Sequence, residues 1–481
     1  MMRRLFISVC SLMIALHLST RGAYPQNVTR TMSFEDAFEL ALEQNAAMQA
    51  ADYAVKAAVQ QRRAAIGLRV PTISLDGNFT WMGSDMAVDL NGVKRGVLNS
   101  TESFLQGVDP ALGQALQGLI TPFAAQSWEL ILQKRSFATI GASVTLPIFT
   151  GGRINVANRT ARIGEQMARS ARDEVESRVM TQLVERYFGA LLARCALNVR
   201  HQVSEGLRRH LADAEALERN GMIASSERLY VEYKLAEALR DETEAQHTLH
   251  TAEEALSNTI GGAAIEPVTA MFVVEHPETA DYFCAIALEQ CALLRQASLG
   301  EDLARENVRL QRADFFPQVA AMAGASLYNW QVSSIVPRWA VGVGVNFKLF
   351  DGLSREYRYS AAKQSLRSAE LMVDRAESDV VLMVETLHAQ MMNQLASLHS
   401  LDRSIAFAKE YLRSKRIAFT QGVAPSSELI DAELNYARAR IERLESAYRF
   451  DLALAQLLSL SGAWADFNTY INRADSRKIT Y

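Results

Sequence analysis

Three side chains on one predicted helix have the types and spacing that could bind a metal ion. Glu244, His247 and His250 follow one another at intervals of three, which keeps them on one side of a helix. Glu-x-x-His is half of the ligand set of a di-metal helix bundle. Such a bundle needs a second Glu-x-x-His motif and further carboxylates, which the sequence lacks. We therefore interpret these residues as surface positions and predict no metal site.

No other residues indicate catalysis. A glycine-rich phosphate loop ending in Lys-Ser or Lys-Thr is absent, and Gly342-Val343-Gly344 lies inside a predicted strand. We expect no enzyme activity and no cofactor. The net charge of −4 also argues against nucleic acid, whose binding needs a basic surface.

The amino terminus has the pattern of a secretory signal peptide. Arg3 and Arg4 precede a short apolar stretch, Leu5 to Leu18, and small residues follow to about position 23. No later stretch has the roughly 18 consecutive apolar residues of a membrane-spanning helix. The sequence predicts an exported protein that is either soluble or held in a membrane by strands.

Two kinds of element dominate the remainder. Alternation of apolar with small or polar residues predicts four strands, at about 72–81, 139–149, 318–328 and 339–350. Proline-free stretches predict two very long helices, 153–220 and 354–421, and the second carries a 3-4 apolar spacing typical of a coiled coil. Glycine-containing turns, 220–227 and 421–428, end these helices, and shorter helices return from them.

The chain repeats this order once. Residues in the two halves match at a constant offset of 201 from Phe149 and Phe350 onward, as at Gly221 and Gly422. A constant offset over so long a stretch indicates duplication. The predicted organisation is signal peptide 1–23, first repeat 33–262, linker 263–279, second repeat 280–463 and C-terminal tail 464–481. Residues 82–137 are predicted to form a large surface loop with a little helix.

Four strands of about ten residues are long enough to cross a bilayer but too few to close a barrel, whose smallest membrane form has about eight. Closure therefore requires several copies of the chain. Aromatic residues near the strand ends suit the interface between lipid and water; they are Trp81, Phe149, Tyr328, Trp330, Trp339 and Phe350. A soluble sandwich is the alternative, but it gives the long helices no role.

The signal peptide, Ser-Phe-Glu-Asp-Ala at 33–37, Leu-Pro-Ile-Phe-Thr-Gly-Gly-Arg at 146–153 and the paired turns together resemble the TolC family of outer-membrane efflux proteins. The resemblance implies a mainly α fold with membrane β: a trimeric 12-stranded β-barrel continued by an α-helical coiled-coil tunnel. It also implies a passive exit duct in the outer membrane of a Gram-negative bacterium. Its partners would be a periplasmic adaptor (membrane fusion protein) and an inner-membrane RND or ABC transporter.

The resemblance also assigns roles to residues near the turns. Those expected to contact the adaptor at the periplasmic tip are Gly221, Met222, Ile223, Gly422, Val423 and Ala424. Glu428 and Asp431 match the acidic ring at the narrowest point of the family's pore, and Glu227 matches one of them in the first half. The aromatic and basic positions of the family's tip contact carry Phe419 and Ala424, so the base is missing.

Two other functions fit the same sequence. One is a duct for type I protein secretion, which differs from a drug exporter in the cargo and in the inner-membrane transporter. The other is an exported coiled-coil scaffold or adaptor that only binds partners, which washing of membranes with carbonate would release.

Overall fold

A computed structural model describes residues 30–105, 107 and 109–480, so the predicted signal peptide lies outside the described residues. The chain divides into two compact units. The helical unit comprises the described residues of Met1–Val59, Ile163–Leu303 and Arg367–Tyr481, and the sheet unit comprises those of Gln60–Arg162 and Ala304–Leu366.

After β1, helices and strands follow one another mostly in pairs along the chain. The strands are β1 (Arg30–Met32), β2 (Thr72–Trp81), β3 (Met86–Asp89), β4 (Glu129–Gln133), β5 (Ser136–Phe149), β6 (Ile265–Pro267), β7 (Met271–Val274), β8 (Gln318–Trp330), β9 (Trp339–Asn346) and β10 (Ser476–Ile479). The helices are α1 (Phe34–Gln44), α2 (Ala46–Gly67), α3 (Asn91–Leu105), α4 (Pro110–Ala125), α5 (Arg153–Arg219), α6 (Ser225–Thr259), α7 (Ala280–Gln290), α8 (Ala292–Ala313), α9 (Ser354–Thr420), α10 (Ser426–Leu460) and α11 (Phe467–Ile471). In the described part of the chain, no helix combines the length and apolar character that crossing a membrane requires.

Helices in the two halves agree in length, pair by pair. Both α1 and α7 have 11 residues, and both α2 and α8 have 22. The long helices α5 and α9 have 67 residues each, and the return helices α6 and α10 have 35 each. At 1.5 Å per residue a 67-residue helix is about 100 Å long. Equal lengths in matched positions support the duplication that the sequence offset indicates.

The main sheet of the sheet unit has four antiparallel strands in the order β2-β5-β8-β9. Apolar residues on alternate positions of the outer strands are exposed: Ile73, Leu75, Phe79, Trp81, Val341, Val343 and Val345. The strand predicted at 339–350 ends earlier, at Asn346, which pairs with Gln318. Pro317 precedes that partner and has no N–H to donate, so the pairing stops although apolar residues continue to Phe350.

The stretch predicted as a loop, 82–137, contains more regular structure than expected. Two helices, α3 and α4, lie between the paired strands β3 and β4. The prediction underestimated the amount of helix and strand because glycine and asparagine suggested turns. In α3 the apolar residues Val93, Val97 and Phe104 nevertheless follow a helical spacing and lie exposed.

Aromatic side chains are among the largest buried residues in the core of the helical unit. Phe34, Phe188, Phe272, Phe450 and Phe467 are almost completely buried and belong to one cluster. Tyr187 joins them, and its hydroxyl donates to the carbonyl of Met32 while accepting from the N–H groups of Val268 and Thr269. This hydroxyl thus provides hydrogen bonds for backbone groups at the ends of β1 and β6.

Two stretches predicted as connections belong to that core. The predicted linker 263–279 contains β6, which pairs with β1, and β7, which pairs with β10. The predicted tail 464–481 contains α11 and β10. Its Phe467, Tyr470 and Ile471 are buried, at a helical spacing too short to recognise in a sequence rich in polar residues.

The first helix, α1, begins after Ser33 and ends before Asn45. Ser33 caps α1, because its hydroxyl accepts from the Asp36 N–H at 3.1 Å and donates to the Asp36 carboxylate at 2.7 Å. The helical pattern that continues to about Leu68 is broken at Asn45, whose backbone is extended. The Asn45 side chain bonds to the Ala47 N–H and to the Thr259 carbonyl. Its side chain therefore competes with the helix for backbone partners.

Candidate functional site at the helix turns

The two turns that end the long helices have the same backbone geometry. Gly221 and Gly422 have φ of 70° and 71°, a left-handed conformation that favours glycine. The backbone N–H of the residue after each glycine donates to a carbonyl of the preceding helix. Met222 donates to Leu217 and Val423 donates to Ala418, both at 2.9 Å. This pattern closes each helix with a Schellman motif.

Apolar side chains project from both turns. Met222 is 70% exposed and Val423 is 78% exposed. Ile223, by contrast, packs beside the buried cluster that joins α5, α6 and α10. Each turn therefore presents one exposed apolar side chain, Met222 in the first and Val423 in the second.

The predicted acidic residues lie at the start of the return helices. Glu428 is in the first turn of α10, and Asp431 is exposed one turn further on. Glu227 holds the matching place in the first turn of α6 and is partly buried. Carboxylates at these positions are favoured by the positive end of the helix dipole.

A basic residue that the sequence reasoning missed contacts Glu428. Lys415, on α9, forms an ion pair with the Glu428 carboxylate across the turn. The hydrogen bond from Lys415 to Glu428 raises the pKa of this lysine above its usual value. The signal was available, since the two residues lie at equal distances before and after the turn at 421–422. Glu428 therefore carries a partly compensated charge.

The first turn carries a related pair. The Arg228 guanidinium, next to Glu227, contacts Glu218 at 2.7 Å and Glu232 at 2.8 Å. The hydrogen bond to Glu218 raises the pKa of Arg228. Basic side chains thus accompany the acidic ones at both turns.

A partly buried charged cluster lies close to the turns, on α5, α9 and α10. The Glu433 carboxylate on α10 contacts two bases through one oxygen, Oε1: His210 Nε2 of α5 at 3.3 Å and Arg416 of α9 at 3.0 Å. The Glu433 and His210 side chains are only 11% and 15% exposed. We call these three residues the Glu433 cluster. It was not predicted, because its members lie far apart in sequence.

The pKa of Glu433 is lowered in this setting. Burial opposes ionisation, but the hydrogen bonds and charges of His210 and Arg416 outweigh it. The ring of Phe419, the predicted aromatic tip position, meets the His210 ring edge-on at 6.0 Å between centroids.

The other predicted site residues are placed as follows. Trp81, Tyr328, Trp330 and Trp339 lie near one end of the main sheet, where the Phe79 and Trp330 rings stack at 6.4 Å. Phe149 lies at the opposite end of β5, and Phe350 lies beyond the end of β9. His247 and His250 are exposed on α6. Among the described residues no three His, Cys, Asp or Glu side chains are grouped closely enough to hold a metal ion.

Comparison with known proteins identifies the family. The model of the outer membrane efflux protein family matches residues 120–262 and 285–463. The chain belongs to this family, as its resemblance to TolC proteins predicts. It is an outer-membrane exit duct of an efflux or secretion system, and its helical part lies in the periplasm.

Individual relatives are distant. The protein CyaE of Bordetella pertussis is 23% identical over 329 residues, which are 66% of this chain and 68% of CyaE. The alkaline protease secretion protein AprF of Pseudomonas aeruginosa is 23% identical over 318 residues, 63% of this chain and 64% of AprF. The chain thus spans about two thirds of each. The crystal structure of VceC from Vibrio cholerae superposes with a TM-score of 0.69 at 15% identity, covering 90% of this chain and 96% of VceC.

Proposed function

We propose that three copies of the chain form a passive channel, in which a 12-stranded β-barrel in the outer membrane is continued by an α-helical tunnel. The observation that carries this proposal is the main sheet, whose outer strands β2 and β9 are each paired on one side only within the described residues. An unpaired strand edge is not tolerated in lipid, so β9 of one copy would pair with β2 of the next. The exposed apolar face of the sheet would contact lipid.

The chain is organised, in this proposal, as two tandem repeats over 33–262 and 280–463. Each contributes two strands to the barrel and one helix pair to the tunnel. The equal helix lengths support this division. Three chains would therefore bring six helix pairs and six turns around one axis.

The turns would be the docking surface for a periplasmic adaptor, which connects the channel to an inner-membrane RND or ABC transporter. The exposed Met222 and Val423, with the backbone of Gly221, Gly422 and Ala424, would make this contact. Transport energy would come from the transporter, since we assign no catalytic group to the channel.

Asp431 and Glu428 would form an acidic ring at the narrowest point and favour cations. Lys415 compensates part of the Glu428 charge, which makes Asp431 the principal carboxylate of the ring. Glu227 would add a weaker contribution from the first turn.

The purified protein in detergent tests the proposal. We expect a trimer by multi-angle light scattering and cation-selective single channels in planar bilayers. A stable monomer, or a trimer that conducts no ions under any condition, would contradict it. A barrel would also stay in membranes washed with carbonate, whereas a peripheral scaffold would be released.

A duct for protein secretion is the second candidate, and the likeness to the alkaline protease secretion protein AprF favours it. Deletion of the gene separates the two functions. Loss of a protein from the culture medium would indicate secretion, and greater sensitivity to small toxic compounds would indicate efflux.

A further inference from the structure

The Glu433 cluster connects the two helix pairs near their turns. His210 belongs to α5, in the first pair, whereas Arg416 and Glu433 belong to α9 and α10, in the second. His210 lies nine residues before the end of α5, and Arg416 lies four before the end of α9. Both are therefore within about three helical turns of the tip. The cluster is placed to control how closely the two pairs approach there.

The fold makes room for the carboxylate with a glycine. A Cβ atom added to Gly206 of α5 would lie 3.1 Å from Glu433 Oε2, closer than side chains normally approach. That oxygen is buried and has no hydrogen-bond partner among the described residues, and the same holds for His210 Nδ1. The carboxylate is thus inserted against α5, and it depends on donors that share its other oxygen.

One of the two bases on this carboxylate is a histidine and the other is an arginine. Histidine gains a proton between about pH 8 and pH 5, whereas arginine stays charged. A protonated imidazole on a carboxylate makes a charge-assisted hydrogen bond about twice as strong as a neutral one. The positive charge of Arg416 repels a proton on His210. The Glu433 carboxylate oxygen lies closer to the imidazole, however, and attracts that proton.

Most other charged groups in the same groove have partners outside the Glu433 cluster, and the remaining one is exposed. The groove between α5, α9 and α10 is also lined by His201, Glu205, Arg209 and Arg440. His201 contacts Glu242 at 2.7 Å within the first helix pair, and Glu205 pairs with Arg208. Arg440 bonds to Gln202 and packs on the Tyr436 ring. Arg209 is exposed.

We propose that His210, Arg416 and Glu433 form a proton-sensitive clasp, which holds the second helix pair against the first more tightly at acidic than at neutral or alkaline pH. The clasp would narrow the periplasmic end of the channel when the periplasm is acidified. This inference rests on the proposed channel function and adds a means of regulation to it.

Single-channel conductance of the full-length protein tests the clasp. Between about pH 5.5 and pH 8 we expect the wild-type conductance to rise several-fold as the imidazole loses its proton. H210Q keeps a neutral donor and should conduct equally at both pH values. E433Q removes the anion and should stay in the high-conductance state. H201Q is the matched control, because its imidazole pairs within one helix pair, and it should retain the wild-type response.

A pH response in H210Q equal to that of the wild type would overturn the inference while leaving the channel function intact. Failure to form a trimer or a channel would instead contradict the proposed function. In that event amide hydrogen exchange of residues 415–433 still tests the clasp. Wild type and H210Q are compared at the same pH, so the intrinsic exchange rates cancel. Stronger protection in the wild type at pH 5.5 but not at pH 8 supports it, and equal protection at both rejects it.

Discussion

Single carboxylates in this chain differ greatly in what surrounds them. Asp451 of α10 is completely buried, with one oxygen accepting from the Phe272 N–H at 3.3 Å and the other without a partner among the described residues. Burial raises its pKa far above the usual value, against the smaller opposing effects of that hydrogen bond and of Lys478. Burial therefore favours the protonated, neutral form of Asp451 in the folded chain.

The stability of the protein should reflect this proton. In the unfolded chain Asp451 has the ordinary carboxyl pKa near 4, whereas the raised pKa in the folded chain keeps the proton on Asp451 to higher pH. Stability is thus fully present below pH 4 and is lost as the pH rises, by about 1.4 kcal/mol per pH unit until the folded pKa is reached. D451N has no carboxyl group to titrate, so the difference between its melting temperature and that of the wild type should grow in favour of D451N as the pH rises above 4. Parallel melting curves across this range would refute the assignment.

Because Lys415 pairs with Glu428 and not with Asp431, substitutions of these two acidic residues should differ in their effect on ion selectivity. We expect D431N to reduce cation selectivity in planar bilayers about two-fold or more, and E428Q to change it less, because Lys415 already compensates Glu428. K415Q should increase selectivity by releasing Glu428. If E428Q has the larger effect, or K415Q has none, Lys415 does not compensate the ring.

At the scale of elements, the sequence predicts the repetitive parts well. The long helices follow from periodicity and the absence of proline, and the two turns follow from glycine. The predictions that were wrong have two causes. The elements α11 and β7 have too few residues for a period to be visible, whereas α3 and α4 contain glycine or proline, which suggested loops. Contacts such as that of His210 with Glu433 are 223 residues apart in sequence, and only the packing of three helices brings them together.

Two glycines of α5 should respond oppositely to the same substitution. Gly164 is exposed with nothing near its missing Cβ, so G164A should stabilise the protein by about 0.4–1 kcal/mol through the entropy of the unfolded chain. In G206A the new methyl group meets the Glu433 carboxylate, which should cancel or reverse that gain. Thermal unfolding of both variants provides the comparison, and an equal gain in G206A would mean that the carboxylate moves freely.

At the scale of the whole molecule, the two faces of the sheet should tolerate charge differently. Val343 and Gly342 are neighbours in β9 and point to opposite faces, Val343 to the exposed apolar one. If that face contacts lipid, V343K should cost about 2–4 kcal/mol and reduce the amount of trimer in membranes. G342K places the same charge on the other face and should assemble normally. Equal assembly of both variants would show that the apolar face is not in lipid.

The matched helix lengths have a consequence for how such chains can diverge. Adding one residue to α5 would rotate everything beyond it by about 100° and displace its turn by about 1.5 Å relative to that of α9. Amino-acid substitutions can accumulate freely under this restriction, whereas insertions and deletions in one copy need a matching change in the other. The two halves of such a duplicated chain are thus expected to conserve their helix lengths more closely than their amino-acid identities.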